Sequence, residues 1–89
     1  MATKTHYLKC VQPFFEDVLI GRKKFEHRRD DREFDLFDIV ILQEYNMQDN
    51  SFSGREVAVY ITYILRNRAG LDSDFCIFSF EKIYNKHPY

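Results

Sequence analysis

Between Gly21 and Arg28 the chain reads Gly-Arg-Lys-Lys-Phe-Glu-His-Arg, setting a glycine, a lysine, a glutamate and an arginine in the spacing G-x-K-x-x-E-x-R. Each of these types brings its own chemistry. A guanidinium offers a planar fork to a phosphate or a base edge, and a carboxylate accepts from exocyclic amines. A lysine beside a glycine turn is a mobile point charge. In an extended chain Glu26 and Arg28 point the same way, with Cα atoms roughly 6–7 Å apart. Lys23, Glu26 and Arg28 together suit a polar, partly anionic heterocycle such as a nucleotide. The competing reading is a structural salt bridge with a solvated lysine, because exposed ion pairs are common and contribute little.

Charge is concentrated around this element. Arg22, Lys23, Lys24, Arg28, Arg29 and Arg32 are six of the 13 basic residues, and only Glu26, Asp30 and Asp31 oppose them there. The segment therefore nets +3, while the remaining seven basic and eleven acidic residues net -4. A chain of overall charge -1 lacks the basic excess needed to grip duplex nucleic acid mainly through its phosphates. A local positive site on a weakly acidic body fits a discrete anionic ligand better. Arg32 and Arg55 are further ligand candidates, since each lies in or beside a predicted loop, and loops on a rigid sheet carry function. Arg55, following Gly54, is equally suited to capping a hairpin.

Other chemistries find less support. Cys10 and Cys76 are far apart, and His6, His27 and His87 show no ligand spacing, so neither a metal nor another cofactor is expected. Two buried thiols in a reducing, cytoplasmic setting are expected rather than a disulfide. No leader and no apolar run of membrane-spanning length is visible, so no membrane partner is expected. His27 would share a strand face with Phe25 as a half-buried, satisfied histidine.

Eighty-nine residues make one domain, residues 1–89, with a single core over about residues 5–83. The 17% aromatic content favours strands. Thr5–Cys10 reads as a first strand. Pro13 suits the first turn of a short helix carrying Val11, Phe14, Phe15, Val18 and Leu19 on its apolar side, with Gly21 just past its end. Lys24–Arg28 reads as the second strand, followed by a charged loop over Arg29–Asp35. Asp38–Tyr45 holds an apolar run expected to be covered on both sides. Asn46–Gly54 has the composition of a long hairpin loop. Glu56–Leu65 is expected to place Val57, Val59, Ile61, Tyr63 and Leu65 on one face. Phe75–Ile83 alternates as the last strand, and Asn85–Tyr89 reads as a frayed tail. Five strands and an early helix imply a small curved sheet or partly closed barrel.

The ordered elements resemble the ASCH domains of the PUA-like superfamily, and within it a small bacterial and phage group of uncharacterised ASCH-like proteins. The resemblance is carried by His6-Tyr7-Leu8-Lys9, Phe15–Val18, Gly21–Arg28 and Asp31-Arg32-Glu33-Phe34. Asp38–Glu44 is similar to that group's D-x-L-x-L-x-E strand, and Phe52-Ser53-Gly54-Arg55 to its Y-T-G-R turn. One departure is Phe37, where the group usually has glycine. The resemblance implies an α+β fold, a PUA-like β-barrel of about five strands with one or two short helices. It also implies a cleft between barrel and helix that binds RNA or a nucleotide-like molecule, in a protein expected to be monomeric. The expected ligand-binding residues are Lys23, Glu26, Arg28, Arg32 and Arg55, and one of Tyr45, Tyr60 and Tyr63 is a candidate for base stacking.

Some ASCH proteins resemble amidohydrolases that act on acylated nucleosides with a lysine and a threonine in this element. Lys23 matches the lysine, but Glu26 stands at the threonine position. An enzyme built on Lys23 and Glu26 is therefore the alternative reading, and simple binding the leading one.

Overall fold

Alternation of inward and outward side chains shapes the molecule, seen in a computed structural model that describes residues 3–83. The expected tail, Asn85–Tyr89, lies outside the described residues. The order is β1 (Thr5–Cys10), α1 (Phe14–Leu19), β2 (Phe25–Arg29), β3 (Ile39–Asn46), β4 (Ser51–Leu65) and β5 (Phe75–Lys82). The five strands form one sheet in the order β1-β3-β4-β5-β2, curled into a half-barrel. β1 lies parallel to β3, and the other neighbours are antiparallel. β1 and β2 are the two edges.

Inward residues of the strands make the core: Leu8 and Cys10 from β1, Val40 and Leu42 from β3, Val57, Val59 and Ile61 from β4, and Cys76, Phe78 and Phe80 from β5. Phe15 and Val18 of the six-residue helix, with Phe34 from the loop before β3, complete it. A fully buried side chain of this kind stabilises by about 1.5–3 kcal/mol, which holds a helix too short to persist alone. Gly21 takes φ +84°, the left-handed conformation expected just past the helix. Its N–H donates to the Val18 carbonyl, and the N–H groups of Arg22 and Lys23 both reach the Asp17 carbonyl. That knot turns the chain directly into β2.

Several expectations change. β3 is not covered on both sides: Val40 and Leu42 are buried, whereas Ile39 and Ile41 on the outer face are only half-buried. The hairpin loop is shorter than expected, because the chain is already extended at Ser51 and pairs with Asn46. β4 is long enough to serve both neighbours, meeting β3 up to Tyr60 and β5 from Val59. Its register with β5 shifts between Ile61 and Tyr63. The irregularity reverses the faces, so Tyr63 turns outward and Ile64 packs against the core. Phe14 is half-exposed rather than a core residue. His27 is exposed on the outer face of β2, its ring 5.0 Å from that of Phe75.

The base of the barrel is tied by a buried carboxylate. Asp38 accepts from His6 Nε2 at 2.8 Å and Asp35 N–H at 3.1 Å through Oδ2, and from Lys4 N–H at 3.0 Å through Oδ1. Phe34, from the loop before β3, caps the pair, with its ring 4.7 Å from His6 and 5.0 Å from Phe78. Burial opposes the charged form of Asp38, but the three donors outweigh it and lower the pKa below the usual aspartate range. Next to it Phe37 has φ +69°, the left-handed region that favours glycine. Its ring is 61% exposed and contributes little packing.

Two substitutions probe this base. Phe37→Gly relieves the left-handed conformation and raises the unfolding free energy by about 0.5–1 kcal/mol in urea titrations, part of the relief being offset by glycine's greater unfolded-state freedom. Asp38→Ala leaves His6 and two backbone donors without their acceptor and lowers it by about 3 kcal/mol. Since Asp38 has a lower pKa folded than unfolded, its ionised contribution is complete near neutrality. It is lost as pH falls through the aspartate range towards the folded-state value. The stability gap between wild type and Asp38→Asn therefore narrows in acid, a trend that urea titrations at stepped pH will measure.

Candidate ligand cleft at the barrel seam

The sheet leaves a seam between its edges, and the charged octet is folded into it. Glu26 and Arg28 share the inward face of β2, opposite Phe78 and Cys76 of β5. The Glu26 side chain is 5% exposed and lies between two cations. One carboxylate oxygen accepts from Lys23 Nζ and the other from Arg28 Nε at 2.6 Å. Lys23 also donates to the Phe25 carbonyl at 2.6 Å, and its ammonium lies 4.9 Å from the Phe25 ring centre and 5.8 Å from that of Phe14. The expected facing of Glu26 and Arg28, with Lys23 at the turn, is thus what the structure brings together.

Arg28 also crosses the seam. Its Nη2 donates to the Lys9 carbonyl on β1 at 2.7 Å. Further along the same edge, Arg32 Nη1 donates to the Tyr7 carbonyl at 3.0 Å. Two guanidiniums therefore satisfy alternate carbonyls of an edge strand that has no backbone partner on that side among the described residues. These contacts use two of the five N–H groups of Arg28, leaving others for a ligand.

Above the triad opens a cleft of about 480 Å³, walled by Lys9, Cys10 and Val11 of β1 and its exit, Phe14 of the helix, Lys23, and Phe25 to Arg28 of β2. That volume lies in the range of small-molecule sites. Phe14 and Phe25, each about half exposed, form its apolar rim. Neither ring was a candidate from sequence, because an aromatic at helical or strand spacing reads as core. The expected tyrosines do not line this cleft: Tyr60 and Tyr63 face outward, and Tyr45 lies at a different hollow. Cys10 does line it, but burial, with Glu26 nearby adding to the effect, pushes its thiol up to about 11. It is a poor nucleophile at neutral pH.

Arg32 flanks the cleft without lining it. Arg55 belongs to another network. Its Nε and Nη2 donate to Glu44 at 2.8 and 3.2 Å, and Nη2 also reaches Glu16 at 2.9 Å. Glu44 further accepts from Ser53 Oγ at 2.7 Å and Gln12 Nε2 at 2.6 Å. Hydrogen bonds from Arg55 first, then Ser53 and Gln12, hold the Glu44 carboxyl down at about 2. Arg55 thus joins helix, β3 and β4 as a structural tie. Gly54, at φ +96° within β4, lies where the register with β3 shifts, next to the residue it helps to aim. No group of three or more His, Cys, Asp or Glu among the described residues is placed to hold a metal. No helix among them is long and apolar enough to cross a membrane.

The chain is 37% identical over 62 residues to an uncharacterized 12.9 kDa protein in the GpA 3′ region of Escherichia phage P2. The match covers 70% of this chain and 55% of the phage protein, so the chain spans only about half of that relative's length. Residues 5–80, from the first strand to the last inward phenylalanine of β5, match the model of a domain of unknown function, DUF3850, and the chain belongs to that family.

Proposed function

We propose that this protein is a PUA-like, ASCH-type module that binds RNA or a nucleotide-sized ligand in the cleft at the seam. The observation that carries the reading is the buried Glu26 carboxylate clamped between Lys23 and Arg28 on the floor of a cleft rimmed by two half-exposed phenylalanines. Burying a carboxylate costs several kcal/mol unless cations and hydrogen bonds offset it. Core packing alone would be served by an apolar residue at this position. The triad carries a net positive charge and still has donors to offer, which suits a phosphate or an acceptor edge of a base. Phe14 and Phe25 provide ring faces on which a base stacks. Arg32 extends the positive wall along β1. Two free, buried cysteines suit a reducing compartment.

Hydrolysis of an acylated nucleoside draws less support. Among the described residues the cleft has no hydroxyl side chain in its lining, and its thiol is held protonated. Of the candidate bases in the lining, Glu26 is enclosed and already shared by two cations, and His27 faces outward with its ring against Phe75.

Titration of the full chain with short RNA oligomers and a nucleotide panel is expected to shift NMR signals at Lys23 to Arg28, Phe14 and Phe25. Arg28→Ala should weaken that binding by about 10- to 100-fold, the worth of a charge-assisted hydrogen bond. Silence at these residues with every probe would sink the proposal. Reactivity offers a separate check on chemistry. Cys10 is expected to resist iodoacetamide at pH 7 to 8, under conditions that fully alkylate the urea-unfolded chain. Faster alkylation than a free thiol would restore a nucleophilic reading.

A further inference from the structure

A second hollow adjoins the first. It measures about 470 Å³, against about 480 Å³ for the cleft, and both are bounded by Val11. Its wall is the β3–β4 hairpin, with Tyr45, Asn46, Met47 and Ser51 among its residues. Lys9 lies between the two. Its carbonyl is held by Arg28 at the first hollow, while its ammonium rests over the Tyr45 ring at the second, 4.4 Å from the ring centre. The Glu44 carboxylate in this wall is fully engaged by Arg55, Ser53 and Gln12, so its charge is compensated.

We infer that the second hollow is a subsite for an adjoining nucleoside, so that the preferred ligand is a single-stranded oligonucleotide rather than a mononucleotide. The inference rests on the proposed reading of the cleft and extends it. A nucleoside in the first hollow and one in the second would place the linking phosphodiester beside Val11, within the sweep of the Lys9 side chain. Lys9 exchanges its place on the Tyr45 ring for the phosphate, and the ring face it vacates accepts the second base. Phe52, with its ring centre 4.9 Å from that of Tyr45 and edge-on to it, braces the platform from the other strand of the hairpin. Met47, 70% exposed, lies at the open side as an adaptable apolar cover. The two sites differ in what they ask of a ligand. The first offers fixed cations, and the second offers a ring and one mobile cation.

Calorimetry with the full chain, using the four nucleoside 5′-monophosphates and the matching homodinucleoside phosphates, tests this directly. The dinucleotide is expected to bind about tenfold or more tightly than its mononucleotide, as one additional stacked base provides. In wild type the dinucleotide alone should shift the NMR signals of Tyr45, Asn46 and Met47. Tyr45→Ala should abolish the gain without changing mononucleotide affinity, and Tyr45→Phe should retain it. Lys9→Gln should reduce the slope of log affinity against log salt by about 0.7, one single-strand phosphate contact. Mononucleotide binding with no gain for dinucleotides overturns the second subsite and leaves the cleft reading standing. A gain that survives Tyr45→Ala, with no shifts at the hairpin, overturns it too. Failure of every probe to bind overturns both.

Discussion

The backbone of this sheet does not close on itself, and that constraint organises the molecule. β1 and β2 end the strand order, so their outer carbonyls need donors from elsewhere. Arg28 and Arg32 supply them at Lys9 and Tyr7. A guanidinium is suited to the task because it spans a gap too wide for a backbone pair and still reaches a carboxylate with its other nitrogen. Closing the seam in this way brings the basic segment against β1. It also leaves a gap between strands wide enough to be a cleft, so that Arg28 both completes the fold and lines the candidate site, with Arg32 at its flank.

Glu26 makes that arrangement possible. Without its carboxylate, Lys23 and Arg28 would face one another across the cleft floor with nothing between them to offset their repulsion. With it, each cation is held at a defined position and the floor keeps a modest positive charge. The cations come from opposite sides, Lys23 from the turn after the helix and Arg28 from within β2. The helix end and the strand are thereby fixed relative to each other. Gly21 and the paired N–H contacts to the Asp17 carbonyl set the length of that turn. A shift of one residue there would move Lys23 away from Glu26.

A second ionic tie works at the opposite side of the helix. Glu44 ends the inward row of β3, and Arg55 follows Gly54 at the register shift early in β4; the two meet with Glu16 of α1. Here the charges are partly exposed and serve alignment more than stability. Their effect is to set the slant of the hairpin against the helix, and with it the shape of the second hollow. Asp38 performs the corresponding task at the base, where burial makes each of its three hydrogen bonds matter more.

Much of this was legible in the residues themselves. Period-two alternation located β1, β2 and β5 to within a residue or so, and a continuous apolar run located β3, although only one face of β3 is fully buried. The same rule placed Glu26 and Arg28 together, and Gly21 announced the end of the helix by its tolerance of positive φ. Phe37 stood out as a departure from the ASCH-like pattern that the sequence resembles, and it takes the left-handed conformation that glycine would favour. Alternation failed at Tyr63, where a single irregularity in β4 exchanges the faces, and a local pattern carries no record of a partner strand's register.

What the sequence determined by itself was the set of elements and which charged residues share a face, since both follow from local backbone geometry. Only the tertiary structure decided which sides of the sheet remain edges, that Arg28 and Arg32 bridge them, and that Arg55 is committed to Glu44 rather than to the cleft. It also decided that the aromatic rim is Phe14 and Phe25. Those outcomes depend on strand order and on contacts between segments distant in the chain, and hydrophobic periodicity is indifferent to both.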